Sequence, residues 1–222
     1  MTIGTLSELL FSQHCLVRGV SCDRIPEGVD KQPDYRLVLG NIIAVAEVKQ
    51  LDPNREDRKT LDDLQKTGHF EGVPQRARVR DMITKGYRQL RRLSKDGVPG
   101  ILVLYDNIGG LMHNLDWFTV TNAMFGDYAV ALGQTTVGPW EPVGSQFRRK
   151  RKLTRNSCRG ISAAIVLEVD SSGISLKAYH NPFADNPIHY AAMALIADEQ
   201  FVNDDPHGEG FVSLTPRKIE LT

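Results

Sequence analysis

The spacing of hydrophobic and polar positions predicts a helix followed by a β-hairpin in the first quarter of the chain. Apolar residues recur at helical spacing over residues 5–18, and Gly19 suits the end of that helix. Tyr35–Leu39 and Ile42–Val48 are short apolar runs typical of strands. Between them, Gly40-Asn41 is a two-residue turn signal, so we expect the two strands to pair as a hairpin.

The next segments predict a loop, a long helix and a buried strand. Residues 52–74 are polar and contain glycine and proline, which is typical of a mobile loop, with a short helix around Leu61–Lys66. Residues 76–94 carry an apolar stripe at helical spacing. After a glycine-rich turn, Ile101–Tyr105 is a continuous apolar run of the kind found in strands that are covered on both faces.

The second half of the chain has a less regular pattern, and its strand order cannot be deduced. A helix is predicted over residues 187–198, and residues 171–173 suit the turn of a hairpin between the last two predicted strands. The predicted strands are Phe118–Val120, Tyr128–Leu132, Ile161–Val169 and Ile174–Tyr179.

Together these elements predict an α/β fold with a mixed central sheet flanked by helices. We expect one domain over residues 1–222, with a core of about residues 1–110 and a C-terminal extension of the sheet over about residues 111–222. The composition, 41% hydrophobic and 24% charged, is that of an ordinary globular protein.

Composition and charge narrow the function classes. No run approaches the length of a transmembrane helix and no signal peptide is evident, so we expect a cytoplasmic protein without a membrane partner. Three cysteines without paired spacing indicate free thiols rather than structural zinc or disulfides. The net charge is zero, yet Arg76–Lys95 holds eight basic residues and one acid, and Ser145–Gly160 holds seven basic residues and no acid. Such local runs suit a polyanion, although charge runs are also common on solvated faces.

The hairpin concentrates charge at one end. If Leu39 faces Ile42, Asp34 lies directly opposite Glu47, with Cβ atoms about 5 Å apart. Lys49 is two residues beyond Glu47 and therefore lies on the same face of the sheet. Like charges placed opposite each other destabilise a sheet, and charges near a core are costly unless they are paired or coordinate a metal.

Two explanations fit this cluster. Mg²⁺ or Mn²⁺ between Asp34 and Glu47 would relieve the repulsion, because Mg²⁺ is commonly held by one or two carboxylates together with water. Alternatively, the cluster is a salt bridge at the end of a hairpin, in which Lys49 neutralises both acids. The residues alone leave both explanations open.

The string Pro33-Asp34, twelve further residues and Glu47-Val48-Lys49 resembles the PD-(D/E)XK motif of restriction-endonuclease-like nucleases. The order helix, hairpin, helix and strand over residues 5–105 is also similar to the core of that superfamily. The resemblance implies that Asp34, Glu47 and the backbone carbonyl of Val48 hold a catalytic metal. It implies that Lys49 orients the attacking water and stabilises charge on a phosphate during phosphodiester hydrolysis.

The resemblance suggests two further site residues, each with a competing explanation. Glu8 lies on the first helix, where many members carry an acid, but it also has capping-box spacing to Thr5. Gln89, one turn from Lys85, could face the site from the long helix or be solvated. The chain lacks the Gln-x-x-x-Tyr pattern of some members, which argues against the exonuclease-like branch.

Basic residues provide the candidate nucleic-acid contacts. As a loop, the basic run after Phe147 could follow a phosphate backbone, and exposed arginines of the long helix could add to it. These candidates are Arg148, Arg149, Lys150, Arg151, Lys152, Arg155, Arg88 and Arg92.

The sequence therefore predicts a metal-dependent endonuclease that acts on DNA in restriction, repair or defence. Two alternatives to a nuclease remain open. One is a non-catalytic member of the same fold that binds nucleic acid or protein, and the other is a regulatory protein whose basic runs bind an acidic partner. These residues do not distinguish a DNA substrate from an RNA substrate. A homodimer and a partner subunit are both compatible with them.

Overall fold

The computed structural model of the protein describes residues 4–26, 28, 32–69, 76–109, 114–134, 138–203 and 214–216. The helices are α1 (Leu6–Val17), α2 (Arg55–Thr67), α3 (Arg76–Lys95), α4 (Trp117–Phe125) and α5 (Tyr190–Met193). The strands are β1 (Ser21–Arg24), β2 (Tyr35–Leu39), β3 (Ile42–Leu51), β4 (Gly100–Asp106), β5 (Asp127–Gly133), β6 (Glu141–Arg148), β7 (Ala163–Asp170), β8 (Gly173–His180), β9 (Glu199–Asn203) and β10 (Leu214–Pro216).

Eight strands form one mixed sheet in the order β1-β2-β3-β4-β7-β8-β9-β10. The central strands β3, β4 and β7 are parallel, whereas β2 pairs with β3 and β8 pairs with β7 in antiparallel fashion. Strands β5 and β6 form a separate two-stranded ribbon. The predicted α/β class, with a mixed central sheet, flanking helices and added C-terminal strands, is confirmed.

The sheet is covered on both faces, as its parallel centre requires. On one face, α1 and α5 pack against a core that includes Ala46 and Val48 of β3. On the other face, α3 and α4 pack against a core that includes Val45 and Leu51. Side chains alternate along a strand, so Glu47 and Lys49 lie on the α3 face. Within the described residues, every helix is too short or too polar to cross a membrane.

The predictions for the first half are largely confirmed. Helices α1 and α3 and strands β2, β3 and β4 lie where the hydrophobic pattern places them. Leu39 pairs with Ile42 across the hairpin. Gly40 has a φ of 64°, a left-handed conformation that glycine adopts without steric penalty.

Residues 52–69 differ from the predicted loop, because α2 is a helix of 13 residues. Asn54 accepts hydrogen bonds from the backbone of Glu56 and Asp57, and the Asp57 side chain accepts one from the Asn54 backbone. This capping box satisfies the donors at the helix start, so a polar segment forms a helix without an extensive apolar face. The predicted Leu61–Lys66 helix lies inside α2, and residues 70–74 lie outside the described residues.

The predicted strand Phe118–Val120 is wrong, because these residues belong to α4. Asp116 caps that helix, with Oδ1 accepting from the backbone N–H of Thr119 at 2.6 Å. Residues 119–125 are all buried, so tertiary packing, mainly against α3, overrides their intrinsic preference for strands.

The predicted helix over residues 187–198 is reduced to the single turn of α5. The helix stops because Asp198 makes two hydrogen bonds with the backbone of Leu176. The Asp198 N–H donates to the Leu176 carbonyl, and Asp198 Oδ2 accepts from the Leu176 N–H, each at 2.8 Å. This exchange starts β9 beside β8. The hydrophobic pattern also missed β1, β6, β9 and β10, whereas the hairpin over residues 171–173 is confirmed.

Candidate active site

The end of the β2–β3 hairpin brings two carboxylates together. Tyr35 pairs with Ala46, so the preceding Asp34 reaches the position beside Glu47. Asp34 Oδ2 accepts a hydrogen bond from the backbone N–H of Val48 at 2.7 Å. This bond fixes Asp34 to the strand that carries Glu47, which is the juxtaposition the register predicts.

Glu47 is the most constrained acid of the site. Its side chain has 0% exposure. Lys49 Nζ donates to Oε1, but Oε2 has no hydrogen-bond partner among the described residues. A buried carboxylate oxygen without a donor is costly unless a proton or a cation takes that position.

The pKa of Glu47 is shifted by this environment. The pKa of Glu47 is raised to about 8, first by burial and then by the negative charge of Asp34, while Lys49 opposes the shift. When protonated, Glu47 can also donate a hydrogen bond to Asp34, which favours the neutral form. A proton and a cation would therefore compete for the same place between the two acids.

Lys49 is held at the edge of the site by Gln89. Lys49 is 24% exposed, and its Nζ donates to Gln89 Oε1 at 2.9 Å. Gln89 Nε2 in turn donates to the backbone carbonyl of Gln32 at 3.3 Å. The structure thus brings the candidate Gln89 into contact with Lys49. Gln32 carried no signal in the sequence, because it contributes only a backbone oxygen.

Glu8 has a different set of partners from the two acids of the hairpin. It belongs to α1, which packs on the face of the sheet opposite to Glu47. Thr5 Oγ1 accepts from the backbone N–H of Glu8 at 3.4 Å, so Thr5 caps the helix. The Glu8 carboxylate lies 3.0 Å from an Arg24 guanidinium nitrogen. The structure therefore places Glu8 in an ion pair with Arg24 rather than in the Asp34–Glu47 pair.

The arginines of α3 divide into two groups. Near its start, Arg78 pairs with Asp57 and Arg80 pairs with Asp127, and both ion pairs are partly buried. Near its end, Arg88 and Arg92 are exposed, and Arg92 lies one turn from Gln89 on the same side of the helix. Lys85 is also exposed and pairs with Asp81, so it is solvated rather than part of the site.

After Arg148, which ends β6, the basic run is a loop, as predicted, and it forms a corner that is anchored to the core. Arg149 and Lys150 both have left-handed backbones, with φ of 45° and 52°. The backbone N–H groups of Lys152 and Leu153 donate to the carbonyl of Met124. These bonds anchor the corner to α4, and they leave Arg148, Arg149 and Lys150 exposed. Arg151 and Lys152 are half-buried, and Arg155 is exposed.

The donor set fits a hard divalent cation. In the described part of the chain, three or more His, Cys, Asp or Glu side chains do not gather into a metal-binding group. The site offers two interacting carboxylates, Asp34 and Glu47, and Glu47 Oε2 has no hydrogen-bond partner among the described residues. Mg²⁺ and similar ions need no larger protein set, because they keep several of their waters.

The resemblance to the PD-(D/E)XK nucleases rests on the motif, the element order and this geometry. Comparison of the chain with family models, with curated proteins and with solved structures finds no significant match.

Proposed function

We propose that this protein is a Mg²⁺- or Mn²⁺-dependent nuclease that hydrolyses phosphodiester bonds in DNA. One observation carries the proposal. A fully buried carboxylate oxygen, Glu47 Oε2, lies without a donor beside a second carboxylate, at the end of a hairpin that also presents a lysine. A divalent cation would satisfy that oxygen and remove the repulsion between the acids.

The salt-bridge explanation accounts for only part of this arrangement. Lys49 satisfies Glu47 Oε1, and the Val48 N–H satisfies Asp34 Oδ2. Neither contact reaches Glu47 Oε2. Asp34, Glu47 and the Val48 carbonyl would hold the cation, which when bound supplies a Lewis acid and lowers the pKa of a coordinated water.

Lys49 and Gln89 have separate roles in this proposal. Lys49 keeps its ammonium at the partly exposed edge of the site, where it would orient the attacking water and stabilise negative charge that develops on the phosphate. Gln89 touches Lys49 but not the reacting atoms, so it is a positioning residue that holds the ammonium in place.

Exposed basic residues would bring the phosphate backbone to the site. Arg88 and Arg92 flank Gln89 on α3, and the corner at Arg148–Lys150 presents three further cations. Such contacts fix the position of a duplex without reading its sequence. A role as an endonuclease in restriction, repair or defence is consistent with these features. A homodimer or a partner subunit would supply the second active site that cutting both strands requires.

The Lys49–Glu47 ion pair favours one alternative function. A chain in which that pair is permanent would be a non-catalytic member of the same fold that binds nucleic acid or protein. Such a protein would show no stabilisation by Mg²⁺ or Mn²⁺.

The test is cleavage of supercoiled and linear DNA with Mg²⁺, Mn²⁺ or EDTA, by the wild type, Asp34→Ala and Lys49→Ala. We expect metal-dependent cutting by the wild type alone, and nicking of circles would identify an endonuclease. Cutting that persists in EDTA or in both variants would contradict the proposal. Absence of cutting together with absence of metal-linked stabilisation would identify the non-catalytic alternative.

A further inference from the structure

A second feature of the same end of the sheet is a cavity of about 670 Å³. It lies where β4 and β7 end, beside the start of α4 and against β8 and β9. Its volume is in the range of small-molecule sites, and the carboxyl ends of parallel strands are the usual place for ligands in α/β sheets. The lining residues that matter here are Tyr105, Asp106, Asp116, Trp117, Tyr179 and Phe201.

Aromatic residues contribute to the wall. Tyr179 is buried and stacks on Phe201, with ring centroids 4.9 Å apart and planes 13° apart. Tyr105 also borders the cavity, but its side chain packs with the core on the face of the sheet opposite to Tyr179 and Phe201. Trp117, the first residue of α4, is 60% exposed and stands at the rim. Large aromatic side chains offer electron-rich faces to whatever enters the cavity.

The cavity is also strongly acidic. Among the described lining residues, Asp106, Asp116, Glu168 and Asp170 are acidic and Lys177 alone is basic. Lys177 is already paired with Glu168 at 2.7 Å. The lining therefore keeps an excess of negative charge.

The two aspartates at the start of the cavity are held in place by neutral donors. Asp106 accepts from the backbone and side-chain amides of Asn114, both at 3.0 Å, and Asp116 accepts from the Thr119 N–H. These bonds orient the carboxylates without cancelling their charge. The negative charge of Asp106 also acts on Tyr105, whose pKa is raised first by burial and then by Asp106.

We propose that this cavity binds an organic ammonium group. A cation over aromatic faces is attracted by their quadrupoles, and the attraction grows as the cation is desolvated. The carboxylates supply the balancing charge, and the same charge repels phosphate. The cavity is therefore a site separate from the proposed phosphodiester site, and its occupancy does not require Asp34 or Glu47.

Two sources carry this chemistry, a free small amine and a lysine-type side chain. Choline and spermidine represent the first, and Nα-acetyl-lysine amide represents the second. Binding of any of these supports the site. Tighter binding of the lysine derivative than of the free amines would identify a protein side chain as the natural occupant, and the reverse would identify a small amine.

The structure provides a direct reporter. The chain has two tryptophans, so Trp140→Phe leaves Trp117 at the rim as the only one. We would titrate this protein, in EDTA, with choline and with 3,3-dimethylbutan-1-ol, the neutral carbon analogue of choline, while following Trp117 fluorescence. We expect a saturable change with choline and none with the neutral analogue. A protein that still cuts DNA but shows no change with any amine would overturn only this inference.

Asp116→Asn is the matched variant. Asparagine is as good a helix cap as aspartate, so α4 is retained while the charge is lost. We expect the affinity for choline to fall at least about tenfold. Asp63→Asn, an exposed position on α2, is the control and should bind as before. Equal binding of choline and its neutral analogue, or unchanged binding in Asp116→Asn, would overturn the inference.

Discussion

Two acidic regions at the same end of the sheet satisfy their carboxylates in opposite ways. At the hairpin end, Glu47 is fully buried and keeps one oxygen without a donor among the described residues. In the cavity between β7 and α4, Asp106 and Asp116 accept hydrogen bonds from backbone and amide groups and border open space.

The difference shows how burial decides which ligand an acid requires. An unsatisfied oxygen in a closed position can be satisfied by a proton or by a small ion that binds oxygen directly. Carboxylates that already accept hydrogen bonds, beside a large cavity lined in part by aromatic residues, attract a cation electrostatically rather than coordinating it directly. They therefore suit a bulky organic cation. We therefore propose a metal ion as the ligand of the first region and an organic amine as the ligand of the second.

The largest effect should come from Lys49, which belongs to the hairpin region alone. Lys49→Ala removes the ammonium that we propose stabilises the phosphate, and we expect the cleavage rate to fall by roughly 10²–10³-fold. Metal-linked stabilisation and DNA binding should persist. The measurement is the rate of plasmid nicking under single-turnover conditions.

Lys85→Ala is the control for that prediction. Lys85 lies on α3 one turn before Gln89, is exposed, and pairs only with Asp81 in the described structure. It should cut like the wild type. Full activity in Lys49→Ala would remove Lys49 from the mechanism.

Replacing one acid in each region should show that only the hairpin region binds the metal ion. Glu47→Gln should abolish the rise in melting temperature that Mn²⁺ produces, whereas Asp116→Asn should retain it. At a metal concentration of 100 times Kd, the wild type should gain about 2.7 kcal/mol, or roughly 5–10 °C. Thermal unfolding with and without Mn²⁺ measures this difference. Equal metal responses in the two variants would show that the regions do not differ as argued.

The stability of the metal-free protein should depend on pH through Glu47. Its pKa is about 8 in the folded protein against 4.5 as its ordinary value, so the folded state holds a proton that the unfolded chain releases. The free energy of unfolding should therefore fall as pH rises from about 4.5 to about 8, by at most about 1.4 kcal/mol per unit from this group. Denaturant titrations in EDTA should show this slope, and Glu47→Gln should lack it.

The smallest effects should come from the basic corner, which lies outside both acidic regions. Arg149→Ala and Lys150→Ala should each weaken DNA binding and lower the slope of log K against log salt by about one. Lys59→Ala, an exposed lysine on α2, serves as the comparison and should leave the slope unchanged. Binding isotherms at several salt concentrations check this, and unchanged slopes would exclude the corner from the interface.

The hairpin region was predictable from sequence because its information is local. A two-residue turn fixes the register, and the register places Asp34 beside Glu47 and sets the face of Lys49. The role of Gln89 was only suggested, since its contact with Lys49 depends on how α3 crosses the sheet.

The cavity was not predictable, because its walls come from four strands and a helix that are distant in the chain. The hydrophobic pattern also predicts a strand at Phe118–Val120, which is wrong. Asp116, which caps the helix by accepting from the Thr119 N–H, is a residue type that indicates a helix start. The tertiary burial that overrides strand preference in α4 has no local signature.

The most direct test of the central claim is a calorimetric titration of Mn²⁺ into the wild type, Asp34→Ala and Glu47→Gln at pH 8. The account predicts saturable binding to the wild type and its loss in both variants, because the two carboxylates hold the ion together. Wild-type protein that binds no Mn²⁺, or variants that bind it as tightly, would contradict the account.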